Sequence, residues 1–464
     1  MPMTAIILAA GEGTRMKSRH PKVLHKLLDR PLVSWVTRAA RMAGAERIIV
    51  VVGHGADEVR AHLSAEKDVE CVEQTERLGT GHAARVAIKA AGVSSGPVVI
   101  LNGDLPLISP ETVRSFADAV SDGSHAAAIL TMTPPDPFGY GRVELAGDGT
   151  VARIIEQKDC TDEQSAELLE CNAGCYAFDG ALLAEHIGEI GNDNAQHEYY
   201  LPDMVEILRG HGHATTIVHC EDYREGLGTN DRIQLAELTA IARDRINARL
   251  MSEGVTMMDP ATTWVGPDVT VGRDTVLLPM TMLWGETSVG EECVLGPNTR
   301  LTNCTVADNV SLEETVGADV TIERDVTCGP RAYLRGGAHV LEGAHVGTHV
   351  EIKNSTIGRG SKVPHLSYIG DCTMGAGVNI GGGSITCNYD GVHKNRTTIG
   401  DNVFIGSDTM MVAPVNIGDG ALVGASSCVT KDVPADALYL ERADQRIVEG
   451  YAARRLERLK KGEA

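Results

Sequence analysis

The chain has 464 residues, with 42 Lys and Arg against 63 Asp and Glu, giving a formal charge of −21. That length accommodates two or three domains of ~100–200 residues, and 43% apolar with 23% charged residues excludes global disorder. A net acidic chain also lacks the basic face needed to coat a nucleic acid, although local basic clusters still suit an anionic small molecule.

In chain order, the apolar runs at 5–8, 48–52, 98–101, 126–130 and 151–155 read as strands, and 32–42, 81–91 and 110–120 read as helices. Strands alternating with helices predict a mostly parallel sheet covered on both faces, with ligands at the carboxyl ends of the strands. The loop 11–13, Gly53-His54 and Gly103-Asp104 fall at such ends. Cys171 and Cys175 read as strand positions rather than metal ligands, and His211 and His213 as an exposed polar turn. From 230 to 251, Leu235, Leu238, Ala242, Ile246 and Leu250 recur at three- and four-residue steps, which predicts a linker helix ending near Gly254.

An internal repeat follows. Val265, Val271, Leu277, Leu283, Val289, Leu295 and Leu301 fall every sixth residue, as do Val316, Ile322, Cys328, Leu334, Val340, Val346 and Ile352. After a slip the period resumes through Ile357, Val363 and Ile369, and again from Ile399 to Val429. A period of six predicts a hexapeptide parallel β-helix, each short strand sending one aliphatic side chain into a narrow interior. That interior has little room for large rings, which accounts for 4% aromatic content beside 51 Gly. The polar segment 381–398 interrupts the repeat and predicts a projecting loop. His345 and His349 belong to the six-residue repeat and are not a helical metal pair, and the basic tail at 454–461 suits either a solvated end or a phosphate contact. The apolar run 5–10 is too short for a secretory leader, and no segment approaches the ~20 residues of a membrane span. With 11 Cys scattered and no CxxC pair, a cytoplasmic protein with reduced thiols is expected.

Two constellations carry chemistry. Residues 8–22 read LAAGEGTRMKSRHPK, a strand running into a glycine loop followed by Arg15, Lys17, Arg19 and Lys22. Glycines let backbone N–H groups approach phosphate oxygens, and the cations neutralise charge on a transferring phosphoryl group. The string is neither a Walker loop nor GxGxxG, because Met16 takes the last glycine position. In the repeat, Arg335 and Lys353 are separated by one rung of ~18 residues, which predicts one prism edge bearing both cations near His365 and Tyr368. Two cations suit a sugar phosphate, and a neutral imidazole suits proton removal near neutral pH.

The string 8–22, with QTERLGTGHA (74–83), NGD (102–104), GYGRV (139–143), EQKD (156–159), NAG (172–174) and GTNDR (228–232), resembles the nucleotidyltransferase signature of sugar-1-phosphate pyrophosphorylases. Over essentially its whole length the chain is similar to the bifunctional N-acetylglucosamine-1-phosphate uridylyltransferase/glucosamine-1-phosphate N-acetyltransferases of bacterial cell-envelope synthesis. The resemblance implies a Rossmann-like α/β uridylyltransferase domain at 1–231, a linker helix at 232–252, and a left-handed parallel β-helix acetyltransferase domain at 253–464.

It further implies a nucleotide site of Leu8, Ala10, Gly11, Lys22, Gln74, Gly79 and Thr80, sugar contacts from Gly141, Glu156 and Asn172, and Mg²⁺ ligands Asp104 and Asn230. Arg15 and Lys22 would stabilise in-line attack of a sugar phosphate on UTP. In the second half it implies His365 as general base, Arg335, Lys353, Tyr368 and Asn379 on glucosamine 1-phosphate, and Gly382, Asn388, Tyr389, Ser407, Ala425 and Arg442 on acetyl-CoA. The implied partners are those small molecules, with no nucleic acid or membrane, and a homotrimer that shares each acetyl site between subunits. Asn102, Ala173, Pro364 and Gly382 depart from the usual residues at their positions. Two alternatives stay open at this point. One is a monofunctional sugar nucleotidyltransferase with a structural or regulatory β-helix, as in glucose-1-phosphate adenylyltransferases; the other is a non-catalytic regulatory scaffold.

Overall fold

The computed structural model describes residues 2–194, 197–441 and 444–462. Contacts divide the chain into two units after Arg245.

In the first unit, β1 (Met3–Ala9), β2 (Ala45–Val52), β3 (Val69–Glu73), β4 (Pro97–Asn102), β5 (Ala127–Met132), β6 (Arg142–Leu145), β7 (Val151–Ile155), β8 (Cys171–Asp179) and β9 (Thr215–His219) form one sheet. Its main order is β9-β5-β8-β4-β1-β2-β3, with β6 pairing β8 and β7. β1 is apolar along nearly its whole length because it lies centrally, between β2 and β4, with cover on both faces. The sheet is mixed: β8 runs antiparallel to both β4 and β5. Cys171 and Cys175 are fully buried on β8, and all 11 cysteines are free thiols.

Helices α1 (Leu32–Met42), α2 (Ala56–Leu63), α3 (Thr80–Ala91) and α4 (Pro110–Ser121) cover the sheet. α4 starts where Ser109 accepts from the Thr112 amide at 3.1 Å and Pro110 takes the first turn, where no amide is needed. Later come α5 (Asp162–Glu167), α6 (Gly180–His186), α7 (Asp203–Gly210) and α8 (Arg232–Ser252). The first part of α8 buries Leu238 and Ala242 against Leu27, Leu32 and Leu107, and Arg245 donates to the Leu107 carbonyl at 2.7 Å. Its last turns belong to the second unit, where buried Asn247 donates to the carbonyls of Pro260 and Thr263 at 2.9 Å and Leu250 enters the core.

The second unit is a left-handed parallel β-helix whose described strands fall in three parallel sheets. Successive coils stack in register, Leu334 pairing with Ile352 and Ile352 with Ile369, so that one row of fully buried aliphatics fills each face. Buried hydroxyls form a second row. Thr275 donates to the Gly290 carbonyl at 2.8 Å and accepts from the Cys293 amide at 3.0 Å, so this polar corner is satisfied.

Two expectations are corrected, and a third element is defined. Val316 is not an inward residue: Gly317 pairs with Leu301 and Leu334, because two faces here are one residue short. A Cβ at Gly317 would stand 3.0 Å from Leu301, so the tight coil takes a glycine. The segment 381–398 is only in part a loop, since Ile385–Cys387 completes another face. Its polar Ser384 and Thr386 tolerate full burial because they donate to the carbonyls of Gly381 (2.7 Å) and Gly370 (3.0 Å). Finally, the basic tail is a helix, α9 (Tyr451–Lys460), with no buried residue. Among the described residues no helix is long and apolar enough to cross a membrane.

Candidate active sites

A cleft of about 630 Å³ opens at the carboxyl ends of β1 and β4. Leu8, Ala10, Gly11, Lys22, Gln74, Gly79, Thr80 and Asp104 all line it, so the sequence-derived nucleotide residues are brought together. Gly13 has φ +64°, and a Cβ there would fall 2.6 Å from the Lys22 Cβ, so the glycine loop folds directly over the Lys22 stem. Met16 is buried and anchors the same loop. Gln74 is 4% exposed, and its amide nitrogen is engaged by the Gly79 carbonyl and His82 Nδ1, both at 3.1 Å. Its amide oxygen keeps its capacity to accept a hydrogen bond. Gly79 (φ +102°) lies against the Tyr199 carbonyl, where a Cβ would approach to 2.6 Å, and this places Thr80 at the first turn of α3. Free amides and the positive end of a helix favour anions there.

Lys22 is paired with Asp104, and Arg15 donates to Asn230 Oδ1 at 2.8 Å. The Thr229 amide donates to the Asp104 carbonyl at 3.1 Å, which ties the loop bearing Asn230 to the end of β4. The Asp104 carboxylate and the Asn230 amide oxygen, each already facing a cation, are hard-oxygen donors of the kind a small divalent ion takes. An adjoining hollow of about 410 Å³ shares Leu8, Thr80, Asn102 and Tyr200 with the cleft and adds Glu156 and Asn172. Gly141 accepts from the Asn172 amide at 2.9 Å. The Asn172 side chain is itself occupied: it donates to Tyr176 Oη at 2.7 Å and accepts from the Gly174 amide at 2.9 Å. Burial pushes the Tyr176 phenol well above its usual range, so it stays a neutral partner.

Sequence reasoning missed several cleft residues, among them Arg77, which pairs with Glu12 at 2.8 Å across the rim, and Glu198 and Tyr200. Arg77 lies inside the quoted string 74–83, whereas Glu198 and Tyr200 arrive from a distant loop without a motif. Asn102 donates to the Gly174 carbonyl at 3.0 Å and so bridges β4 to β8, a structural use for a residue that departs from the resemblance.

On the β-helix, Arg335 pairs directly with Lys353 in adjacent coils, and Tyr368 lies on the next coil of that face. His365 is not on their edge. It closes the preceding face, paired with Thr348, and a corner intervenes at Leu366 (φ +46°) and Ser367, whose hydroxyl donates to the His365 carbonyl at 2.7 Å. The reason is local: the coil turns between residues 365 and 368, so the face starts after the histidine and ends with the cations. Arg335 donates to Glu351 at 2.8 Å. The His365 ring is exposed and makes no hydrogen bond to a described residue.

Asn379 sits on the same sheet as His365, between Lys362 and Phe404. Gly382 lies against the histidine, where a Cβ would come 3.3 Å from His365 Cβ. Ser407 and Ala425 stack on the following corners: a Cβ at Gly381 would touch the Ser407 amide, and one at Gly406 the Ala425 amide. Tyr389 is exposed on the loop, its hydroxyl donating to the Gly391 carbonyl at 2.5 Å with Lys394 over its ring. Arg442 falls outside the described residues.

A hub that sequence reasoning did not single out joins these parts. Asp371 is 6% exposed and accepts from Asn354 at 2.6 Å, Lys353 at 3.2 Å and Asn388 at 2.5 Å, while Asn388 also donates to Tyr368 Oη at 3.3 Å. Burial works to raise the Asp371 carboxyl, but the hydrogen bonds from Asn354, Lys353 and Asn388 outweigh it and hold the group below the usual carboxylate range. It stands directly after Gly370 at φ +51°, on which no periodicity bears.

The chain thus combines an α/β unit holding an anion-binding cleft with a hexapeptide solenoid bearing a histidine and paired cations, the form of a two-headed group-transfer enzyme. Residues 5–155 match the model of the MobA-like NTP transferase domain, and residues 396–431 that of the bacterial transferase hexapeptide (six repeats). The Bifunctional protein GlmU of Streptomyces avermitilis is 46% identical over 458 residues, covering 98% of this chain and 95% of that protein. The proteins of the same name from Geobacter metallireducens (48% over 461 residues, 96% and 97% covered) and Corynebacterium diphtheriae (43% over 451 residues, 96% and 93%) are similarly related. The chain belongs to the bifunctional GlmU family, which joins N-acetylglucosamine-1-phosphate uridylyltransferase and glucosamine-1-phosphate N-acetyltransferase activities. The monofunctional and scaffold alternatives are set aside. Its substrates are small molecules, including a nucleotide used with a divalent metal.

Proposed function

We propose that the chain acetylates glucosamine 1-phosphate with acetyl-CoA at the β-helix and then transfers UMP from UTP to the product at the α/β cleft. The observation that carries this reading is the coexistence of the Lys22–Asp104 pair in the cleft, with Arg15–Asn230 on the loop tied to Asp104, and of His365, Lys353 and Asn388 on the solenoid. Residues 1–231 are assigned to uridylyl transfer, 232–252 to a linking helix and 253–464 to acetyl transfer.

In the cleft, Gln74 accepts from the uracil edge while Gly11, Gly79 and Thr80 face the ribose and phosphates. Glu156, Asn172 and Gly141 orient the acetylated sugar. Its phosphate oxygen attacks the α-phosphorus in line and pyrophosphate leaves, with Lys22 and Arg15 supplying fixed positive charge against the developing negative charge. Asp104 and Asn230 would hold Mg²⁺, which when bound adds Lewis-acid stabilisation of the phosphates. On the solenoid, His365 takes a proton from the sugar amine as the amine attacks the thioester carbonyl, the C–S bond breaks and coenzyme A leaves as the thiol, while Arg335, Lys353, Tyr368 and Asn379 grip the sugar phosphate. Gly382, Asn388, Tyr389, Ser407, Ala425 and Arg442 receive the coenzyme. The space that Gly382 leaves beside His365 lets the ring approach the amine.

His365 and the cations border opposite sides of one face, and Phe404, Leu422 and Leu438 form an exposed apolar row along the outside of the solenoid. Both features support a homotrimer in which a neighbouring copy completes each acetyl pocket. Reduced thiols throughout suit a cytoplasmic enzyme. The test is to supply acetyl-CoA, glucosamine 1-phosphate and UTP with Mg²⁺ and follow free coenzyme A and pyrophosphate. Release of both supports the reading, and absence of either overturns the corresponding half. Light scattering on the full chain tests the trimer, which a monomeric mass would refute.

A further inference from the structure

A cluster that neither transfer reaction uses lies elsewhere in the first unit. His186 ends α6, Glu189 closes the 3-10 turn Ile187–Glu189, and His211 caps α7. Leu183, Ile187 and Ile190 share one apolar cluster with Met204, Val205 and Leu208, so these element ends are held together by packing. His186 Nδ1 lies 2.7 Å from one oxygen of Glu189, and His211 Nε2 lies 2.9 Å from the other. The two imidazole rings stack at 4.1 Å, and all three ligating groups fall within 4.8 Å of one another. His211 is exposed, as the sequence suggests, but it is not isolated.

We propose that His186, Glu189 and His211 bind one divalent transition-metal ion of the Zn²⁺ class. Metal–nitrogen and metal–oxygen bonds of ~2.0–2.2 Å set neighbouring donors ~3–3.5 Å apart; the two nitrogen–oxygen separations of 2.7 and 2.9 Å are near that, and the donor atoms all lie within 4.8 Å of one another. Two imidazoles with one carboxylate select a borderline metal over Mg²⁺, which prefers oxygen alone. The site is therefore chemically distinct from the Asp104–Asn230 pair. His186 has a side chain only 9% exposed, which fixes one ligand in advance, and the Glu185 carboxylate lies 4.0 Å from its other ring nitrogen as an outer partner. Both α6 and α7 end at the cluster, and their carbonyl ends favour a cation. Glu189 and His211 are half-exposed, which leaves the remaining coordination to solvent. Bound there, the metal clips the end of α6 to the end of α7.

The experiment titrates metal-free full-length protein with Zn²⁺ against a chromogenic chelator, comparing wild type with His211→Ala and Glu189→Gln. Neither residue belongs to the transfer machinery, so both activities and the circular dichroism of the variants should match wild type. One tight equivalent is expected in wild type, weakened at least about tenfold in each variant, since even an outer-sphere partner costs that much. Zn²⁺ should raise the thermal midpoint of wild type and leave the variants unmoved. Co²⁺ should give a d–d spectrum without the thiolate charge-transfer band that the cysteines would produce. Equal Zn²⁺ affinity in all three proteins, a thiolate band, or no binding by wild type would each overturn the site.

Discussion

Replacing Asp371 with Asn tests how much of the acetyl site depends on one buried carboxylate. The change preserves shape but removes the charge and turns one acceptor into a donor. Asp371 accepts from Asn354 at 2.6 Å, Lys353 at 3.2 Å and Asn388 at 2.5 Å. An asparagine oxygen can keep Asn354, but its NH₂ must then face the Lys353 ammonium or the Asn388 amide, donor against donor. Hydrogen bonds to a charged group contribute about 1.5–3 kcal/mol each. Losing one or two of them, with partial relaxation, should loosen Lys353 and Asn388 by about 2–3 kcal/mol. Felt in the transition state, that loss lowers kcat/KM for glucosamine 1-phosphate by about 30- to 160-fold. The assay follows coenzyme A thiol at saturating acetyl-CoA over a range of sugar phosphate. Pyrophosphate release at the other site serves as the internal control and should be unchanged. A folded D371N protein with acetyl kinetics within about twofold of wild type would refute the claim that this carboxylate organises the site.

Other outcomes follow from the same geometry. Lys22→Ala or Asp104→Ala should lower uridylyl transfer by about 10²–10³-fold, as expected for removing fixed charge at a phosphoryl group, with acetyl transfer intact; near-normal pyrophosphate release would count against the assignment. His365→Ala should cost about 10²–10⁴-fold in acetyl transfer while uridylyl transfer persists, and an unaffected thiol release would remove its role as base. Gly347→Ala would place a Cβ 2.0 Å from the Pro364 carbonyl, directly before His365. It should destabilise the solenoid by about 1–3 kcal/mol and slow acetyl transfer, measured by thermal melting alongside kinetics. Asp222, held down to about 2 by hydrogen bonds from Arg224 and Arg245, contributes stability present above its ordinary value and lost as pH falls through about 2. Asp222→Asn should therefore lower the thermal midpoint at neutral pH, and the gap from wild type should close as pH approaches about 2. A gap independent of pH would show that the charge is not what holds α8.

Much of this molecule is legible in one dimension. The six-residue period carries the solenoid because each buried aliphatic is set by its own short strand, and the loop of residues 8–22 carries the phosphate chemistry because its glycines and cations are contiguous. The same local information gave α8 and most strands of the first unit. It failed where position depends on how coils stack. Each shortened face shifts every later residue against its neighbours, so that Gly317, not Val316, turns inward, and the corner after His365 parts it from Lys353 to opposite borders of a face. Asp371 escaped notice because its partners stand 17 to 18 residues away on either side, joined only when three coils are stacked. His186, Glu189 and His211 likewise meet because an apolar core draws two helix ends together. Periodicity and adjacency are properties of the chain, whereas convergence of distant polar groups is decided by the packing that folding completes.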